Sequence, residues 1–77
     1  STTIRYALAA PTSVRLKVYN SLGQHIKTLV DASQAAVVQE VVWDGTDHDN
    51  QLASAGTYIY ELATEHSTLQ RPMLLLH

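Results

Sequence analysis

The chain contains no cysteine and no phenylalanine among its 77 residues, and it has only two prolines and three glycines. The absence of cysteine excludes a disulfide framework, a thiol nucleophile and a cysteine-ligated zinc site. Without phenylalanine, valine, leucine, isoleucine and tyrosine must fill the core, and 45% of the residues are hydrophobic. We expect one thin core, with a free energy of unfolding on the order of 4–8 kcal/mol.

Charge is also sparse, since five lysines and arginines stand against seven aspartates and glutamates, for a net charge of −2. The basic residues are scattered singly, whereas a nucleic-acid surface needs them clustered to release phosphate counterions. No apolar run reaches the roughly 20 residues that span a membrane. We predict no nucleic-acid partner and no transmembrane segment. Because the chain begins at Ser1 with no initiator methionine, we expect it to be part of a longer exported protein whose export signal lies upstream.

Apolar residues recur at every second position, which is the period of a β-strand with one buried face. In the clearest segment Val14, Leu16 and Val18 alternate with Arg15 and Lys17. A slip of one residue would bury both charges, so the register is fixed. The predicted strands cover residues 3–8, 13–20, 24–30, 37–43, 57–63 and 68–76. Six to seven short strands at this spacing predict an all-β antiparallel sandwich with Greek-key connections, over a single domain of residues 1–77.

Several segments depart from simple alternation. Ile26 and Leu29 are three residues apart, which predicts a β-bulge. The polar, alanine-rich residues 31–36 are predicted to be a connection. Strand 37–43 is apolar on both faces, which favours a central or doubly covered position. Pro72 cannot donate a ladder hydrogen bond, so the last strand is predicted to lie at an edge or to contain a bulge.

Serine, histidine and aspartate are all present, so a hydrolytic triad has to be considered. No serine lies in a Gly-x-Ser-x-Gly elbow, and His25, His48 and His66 fall in predicted turns while His77 ends the chain. We therefore predict no catalytic residue, no enzymatic activity and no cofactor.

The loop at 44–56 contains Asp44, Asp47 and Asp49, which could together bind a hard cation such as Ca²⁺. The spacing differs from the calcium-loop motif, because no glycine follows at the required position. The favoured interpretation is that Asp44 and Asp49 cap turns through their own backbone, with a weak calcium site as the alternative.

The aromatic residues raise the possibility of a sugar-binding face. Tyr58 and Tyr60 share a face with Leu62, which predicts a place in the core. Tyr19 and Trp43 are the two rings expected to be exposed. A carbohydrate-binding accessory module is therefore one alternative function, and a passive structural spacer is another.

The most apolar run ends the chain, at Met73, Leu74, Leu75 and Leu76. It is predicted to be either an ordinary buried strand or a terminal strand that another protein recognises by strand addition. Periodicity alone leaves both interpretations open.

The segments STTIRYAL, VRLKVYNSLGQHIKTLVD, VVWDGTD, SAGTYIYEL and the terminal MLLLH together resemble the C-terminal sorting-domain family of the type IX secretion system. They are also similar to a related family, the Ig-like domain of the flagellar hook-capping protein. The resemblance implies an Ig-like sandwich without catalytic activity. It places the structural motif residues at Val18, Tyr19, Gly23, Trp43, Asp44, Gly45, Gly56, Tyr58 and Tyr60.

In the sorting members of this family the domain is an export signal, and the resemblance places that signal on Met73 to Leu76. It therefore implies a C-terminal sorting or cell-surface attachment module of an exported protein, located outside the cell or on its surface. The expected partners are the secretion and attachment machinery and the upstream domains of the same chain.

Overall fold

The computed structural model describes residues 1–76, and the regular secondary structure in that range consists of β-strands. The six strands are β1 (Thr2–Ala7), β2 (Thr12–Asn20), β3 (His25–Gln34), β4 (Val38–Trp43), β5 (Gly56–Thr64) and β6 (Thr68–Leu75). They form a two-stranded sheet, β1-β4, and a four-stranded sheet in the order β3-β2-β5-β6. Every pairing is antiparallel. The predicted all-β, Ig-like sandwich is confirmed.

The chain crosses repeatedly between the two sheets. After the β2–β3 hairpin it adds β4 to the small sheet and then returns as β5, which pairs with β2 rather than with β3. This non-sequential pairing is the arrangement that Greek-key connections produce. The described residues contain no helix that is both long and apolar enough to cross a membrane.

The core lies between the sheets and is built from the predicted alternation. Val14, Leu16 and Val18 of β2 are each at most 1% exposed, whereas Arg15 between them is exposed. The other buried apolar residues are Ile4, Tyr6, Trp43, Tyr58, Leu62 and Leu75. These six residues come from four other strands, one or two from each, and they surround the three buried residues of β2. Strand β2 is therefore the centre of the sandwich.

The β-bulge predicted in the third strand is present, and it occurs twice. In the pairing of β2 with β3 the register shifts past Leu29 and again past Ile26, so neither residue has a partner on β2. Both side chains are partly buried and pack against the apolar core. The bulges therefore allow two apolar residues at odd spacing to face the same interior.

Two predictions about β3 and β4 were wrong. Residues 31–34, predicted to be a connection, continue β3 because they pair with the start of β2, where Arg15 lies 3.7 Å from Asp31. Strand β4 is neither central nor doubly covered: it has one neighbour, and Val38 and Val42 are 57% and 60% exposed. Its second apolar face therefore points to solvent.

Pro72 lies on an edge strand, as predicted. The carbonyl of Leu74 accepts a hydrogen bond from Thr2 Oγ1, on the side away from β5. Because backbone groups alternate in direction along a strand, the nitrogen of Pro72 points the same way. The proline therefore leaves the ladder with β5 intact and removes a donor from the free edge.

Tyr6 gives the domain a predicted sensitivity to alkaline pH. Its hydroxyl donates to Gln34 Oε1 at 2.6 Å, and burial raises the pKa of the phenol above its ordinary value of 10.0. A raised pKa favours the protonated phenol in the folded state, so this stabilisation is complete below pH 10 and declines as the pH rises beyond it.

We expect Tyr6→Phe to lower the free energy of unfolding by about 1 kcal/mol at neutral pH, because the hydrogen bond is lost. Urea unfolding at neutral pH and above pH 10 measures this. The wild-type chain should lose more stability between the two conditions than the variant. An equal loss in both proteins would show that Tyr6 has no part in the alkaline response.

Candidate functional site

The end of β4 forms a corner that packs into the core. Trp43 is fully buried, its ring centroid lies 5.0 Å from that of Tyr58, and it packs in a cluster with Val18 and Leu75. Its Nε1 donates to the carbonyl of Thr46 at 2.9 Å. The expectation that Trp43 is exposed was wrong, because pairing with β1 places it on the inner face of the small sheet.

Gly45 and Asp44 shape the chain immediately after Trp43. Gly45 has a φ of 84°, which favours glycine over residues with a Cβ atom. Asp44 Oδ1 accepts hydrogen bonds from the hydroxyl of Thr46 at 2.6 Å and from its backbone N–H at 3.0 Å. The hydroxyl bond is the largest cause that holds the pKa of Asp44 below its ordinary value, and Lys27, 4.0 Å away, acts in the same direction.

The remaining carboxylates of this loop are also used locally. Asp47 Oδ1 accepts hydrogen bonds from the backbone N–H groups of Asp49 and Gln51 at 2.9 and 3.0 Å, as in an Asx turn. Asp49 Oδ2 lies 3.5 Å from His48 Nε2. Asp47, rather than Asp49, is therefore the second capping residue.

The geometry does not favour the calcium alternative. Lys27 Nζ donates to Thr46 Oγ1 at 2.7 Å, so an ammonium group already lies beside the hydroxyl that Asp44 accepts from. Over residues 1–76, no group of three histidine, aspartate or glutamate side chains is placed to hold a metal ion. The positive charge of Lys27 lies beside Thr46 and Asp44 and would repel a divalent cation there.

We therefore predict that millimolar CaCl₂ leaves the melting temperature unchanged relative to the same buffer with EDTA. The reason is that Lys27 repels a cation and Asp44 is already occupied by Thr46. Differential scanning calorimetry measures the shift. A saturable rise in melting temperature that Asp47→Asn abolishes would instead support the calcium site.

The histidines lie at different ends of the sandwich. His25 begins β3, where its ring lies 5.7 Å from that of Tyr19, and His48 contacts the same region through the carbonyl of Ile26. His66 lies in the β5–β6 turn, next to Thr64. Tyr19 and Thr64 lie at opposite ends of the β2–β5 pairing. His66 therefore cannot share a catalytic centre with His25 or His48. His77 lies outside the described residues.

One surface cleft, of about 330 Å³, lies between the end of β1 and the β5–β6 hairpin. It is lined mainly by apolar side chains such as Leu8, Leu62 and Leu69, and His66 is its one titratable residue among those described. A general acid, a base and a nucleophile are not brought together there.

The exposed aromatic surface is small. Tyr58 is buried, as predicted, Tyr60 is partly buried against the core, and Trp43 is inside. Tyr19 is half-buried, and its ring is tilted by 58° relative to that of His25. These two rings do not form a flat platform for a sugar. A carbohydrate-binding module would need Trp43 as a second exposed ring, and Trp43 is buried.

The terminal run from Met73 to Leu76 contains one core residue, one half-buried residue and two exposed ones. Leu75 is fully buried and Met73 is half-buried, while Leu74 and Leu76 are 61% and 68% exposed. The carbonyls of both exposed residues accept hydrogen bonds, from Thr2 Oγ1 at 2.6 Å and from the Ser1 ammonium at 3.3 Å. No spacing or motif in the sequence indicates this contact between the two ends of the chain.

The remaining motif glycines lie at turns or strand ends. Gly23 has a φ of 81° and closes the β2–β3 turn by donating to the carbonyl of Asn20. Gly56 begins β5 with a φ of 148°. Each of them supports the path of the chain, and none approaches a reactive group.

Comparison with known proteins connects this fold to one family. The family model described as the FlgD Ig-like domain matches residues 1–67. Among solved structures, FlgD from P. aeruginosa matches with a TM-score of 0.75 and 26% sequence identity, over 95% of this chain. The match spans 58% of the FlgD chain. A search of curated proteins finds no match.

These comparisons support the hook-capping part of the resemblance and give no evidence for the sorting-domain part. The matched region includes five of the six strands, from β1 to β5, together with the Trp43 corner. By sequence and by fold, the chain belongs to the FlgD Ig-like domain family.

Proposed function

We propose that this chain is a non-catalytic structural module that acts through protein–protein contacts during the assembly of an extracellular structure. The observation that supports it most strongly is the agreement between the family match over residues 1–67 and the fold match to FlgD. The flagellar hook-capping protein contains a domain of this kind within a longer chain. In this proposal the module works as one part of a larger exported protein.

The distribution of polar groups supports a role without bond chemistry. The buried side chains that carry polar atoms use them within the fold, as Trp43 does with Thr46 and Tyr6 with Gln34. The exposed charged residues are spread over both sheets and the loops. What the module offers other molecules is therefore the outside of its sheets and the ends of its strands.

A domain exchange tests this proposal. The Ig-like domain of P. aeruginosa FlgD is replaced by this chain, and swimming motility and hook formation are compared with those of a strain that lacks the domain. A chain that supports assembly should restore part of the motility, and the same exchange with Leu16→Asp should not. A chimera that is produced and exported normally, yet behaves like the deletion, would contradict the proposal.

A sorting or cell-surface attachment role is a second candidate, and the exposure of Leu74 on β6 and of Leu76 directly after it favours this role. In that case the export machinery would recognise the terminal strand, with no chemical step. Fusing residues 1–77 to a reporter in a host with type IX machinery tests this. Reporter that reaches the medium or the cell surface only when both leucines are present would support sorting, whereas reporter that remains periplasmic would exclude it.

A further inference from the structure

The sheet edges differ in how far their backbone groups are covered. On β6, Pro72 supplies no N–H, and the carbonyl of Leu74 is taken by Thr2. On β3, the cover is confined to the Ile26 end of the strand, where the carbonyl of Ile26 accepts a hydrogen bond from the backbone N–H of His48 at 3.0 Å. Devices of this kind prevent other chains from pairing with an edge. Within residues 1–76, no comparable contact covers the free side of β4.

The direction of the free groups on β4 follows from one hydrogen bond. Leu8 N donates to the carbonyl of Val37 at 3.4 Å, which makes these two residues a hydrogen-bonded pair. Because hydrogen-bonded and non-hydrogen-bonded pairs alternate in an antiparallel ladder, the backbone groups of Val38, Glu40 and Val42 point away from β1. They form a row of unpaired donors and acceptors along the free edge.

The side chains of the same three residues lie on the solvent face. Val38 and Val42 are 57% and 60% exposed, and Glu40 between them is exposed as well. β4 therefore presents an apolar, an acidic and an apolar side chain in alternation, on a strand rich in β-branched residues. Opposite charges and β-branched pairs placed across neighbouring strands stabilise a sheet.

We propose that the free edge of β4 binds an extended segment of another protein by strand addition. The segment has a lysine or arginine opposite Glu40 and β-branched apolar residues two positions away on either side. Backbone hydrogen bonds to Val38, Glu40 and Val42 provide the attachment, and the central charge and flanking side chains select the sequence. This inference rests on the proposed function, since it names the contact by which the module assembles.

Two other uses of the small sheet fit less well. If a second copy paired its own β4 in the register that uses the whole strand, Glu40 would face Glu40, and like charges directly opposite each other destabilise a sheet. The edge of β1 presents Arg5 between Thr3 and Ala7, without a large apolar side chain. Arg5 is the register partner of Glu40 on β1, but no ion pair joins the two side chains over residues 1–76. The charge of Glu40 therefore remains available to a basic partner strand on β4.

The test uses a synthetic heptapeptide that alternates threonine and valine around a central lysine, and a control peptide with glutamate in its place. Each is titrated into the ¹⁵N-labelled 77-residue chain and followed by NMR. The lysine peptide should bind more tightly by about two- to five-fold. Its chemical-shift changes should centre on residues 37–43.

Variants of Glu40 make the test specific. Glu40→Lys should reverse the preference between the peptides, whereas Glu65→Lys, the same change at an exposed turn, should leave it unaltered. Glu40→Pro removes a donor that points to the free edge, as Pro72 does on β6, and should abolish binding of both peptides. Thermal unfolding of each variant verifies that it is folded.

Three results would overturn the proposal. They are the absence of saturable binding, shift changes centred away from β4, and binding that persists in a folded Glu40→Pro variant. Self-association of the wild-type chain that Glu40→Pro disrupts would assign the edge to a second copy instead. A failure here leaves the domain-exchange result intact, because that experiment measures assembly without assuming which surface acts.

Discussion

Replacing Trp43 with alanine is expected to lower the free energy of unfolding by about 3–5 kcal/mol, which is the usual cost of truncating a buried tryptophan. The indole is fully buried, contacts the ring of Tyr58 and packs beside Leu75. The variant would leave a cavity that three strands border and would lose the hydrogen bond to Thr46. In a chain this small, such a loss approaches the whole expected stability.

Urea unfolding followed by circular dichroism measures this effect. Tyr19→Ala is the control, since that ring is half-buried on the outer face of the large sheet, and it should cost much less. A Trp43→Ala variant as stable as the Tyr19→Ala variant would mean that the indole is at the surface, as the sequence pattern suggested.

Leu16→Asp is expected to leave the chain unfolded. Leu16 is fully buried at the centre of β2, among residues of both sheets. An aspartate there would have to be buried without a partner or be protonated, and either costs several kcal/mol in addition to the lost packing. This loss exceeds what a single thin core can supply.

The matched control places the same substitution at Leu22, which is 82% exposed in the β2–β3 turn. Leu22→Asp should melt cooperatively and close to the wild-type temperature, because no apolar burial is lost. The measurement is thermal unfolding by circular dichroism. A cooperative melt near the wild-type temperature for Leu16→Asp would refute the assignment of β2 to the centre of the core.

The strands and most of the core could be predicted because their information is local. In β2 and β5, apolar and polar residues alternate clearly enough to identify the inward face, as with Leu16 and Leu62. The spacing of Ile26 and Leu29 also predicted a bulge in β3, where the structure has two. Such features depend on which side chains are buried, and the periodicity of apolar residues indicates this directly.

The errors concern features that only non-local pairing decides. In residues 37–43 both faces are apolar, so alternation alone does not indicate whether Trp43 or Val42 is buried. Pairing with β1 decides which face of the strand points to the core. The polar end of β3 is a strand because β2 pairs with it across the hairpin. The contact of Thr2 with Leu74 joins the two ends of the chain, and no spacing in the sequence encodes it.

The same distinction between local and non-local information applies to the candidate site. The local role of Asp44 in a turn could be inferred from residue type, because short acidic side chains accept hydrogen bonds from nearby backbone N–H groups. The second capping residue is Asp47 and not the predicted Asp49. The place of Lys27 beside Thr46 could not be inferred, since it depends on how β3 packs against the loop. The same holds for the open edge of β4, which emerges only from the strand order.

The most direct measurement for this account is the NMR environment of the Trp43 indole in the wild-type chain. A sandwich closed by Trp43 predicts slow exchange of the indole N–H, which donates to Thr46, and NOEs from the ring to Tyr58 and Leu75 of the opposite sheet. An indole N–H that exchanges as fast as in the unfolded chain, with no NOE between the sheets, would contradict it.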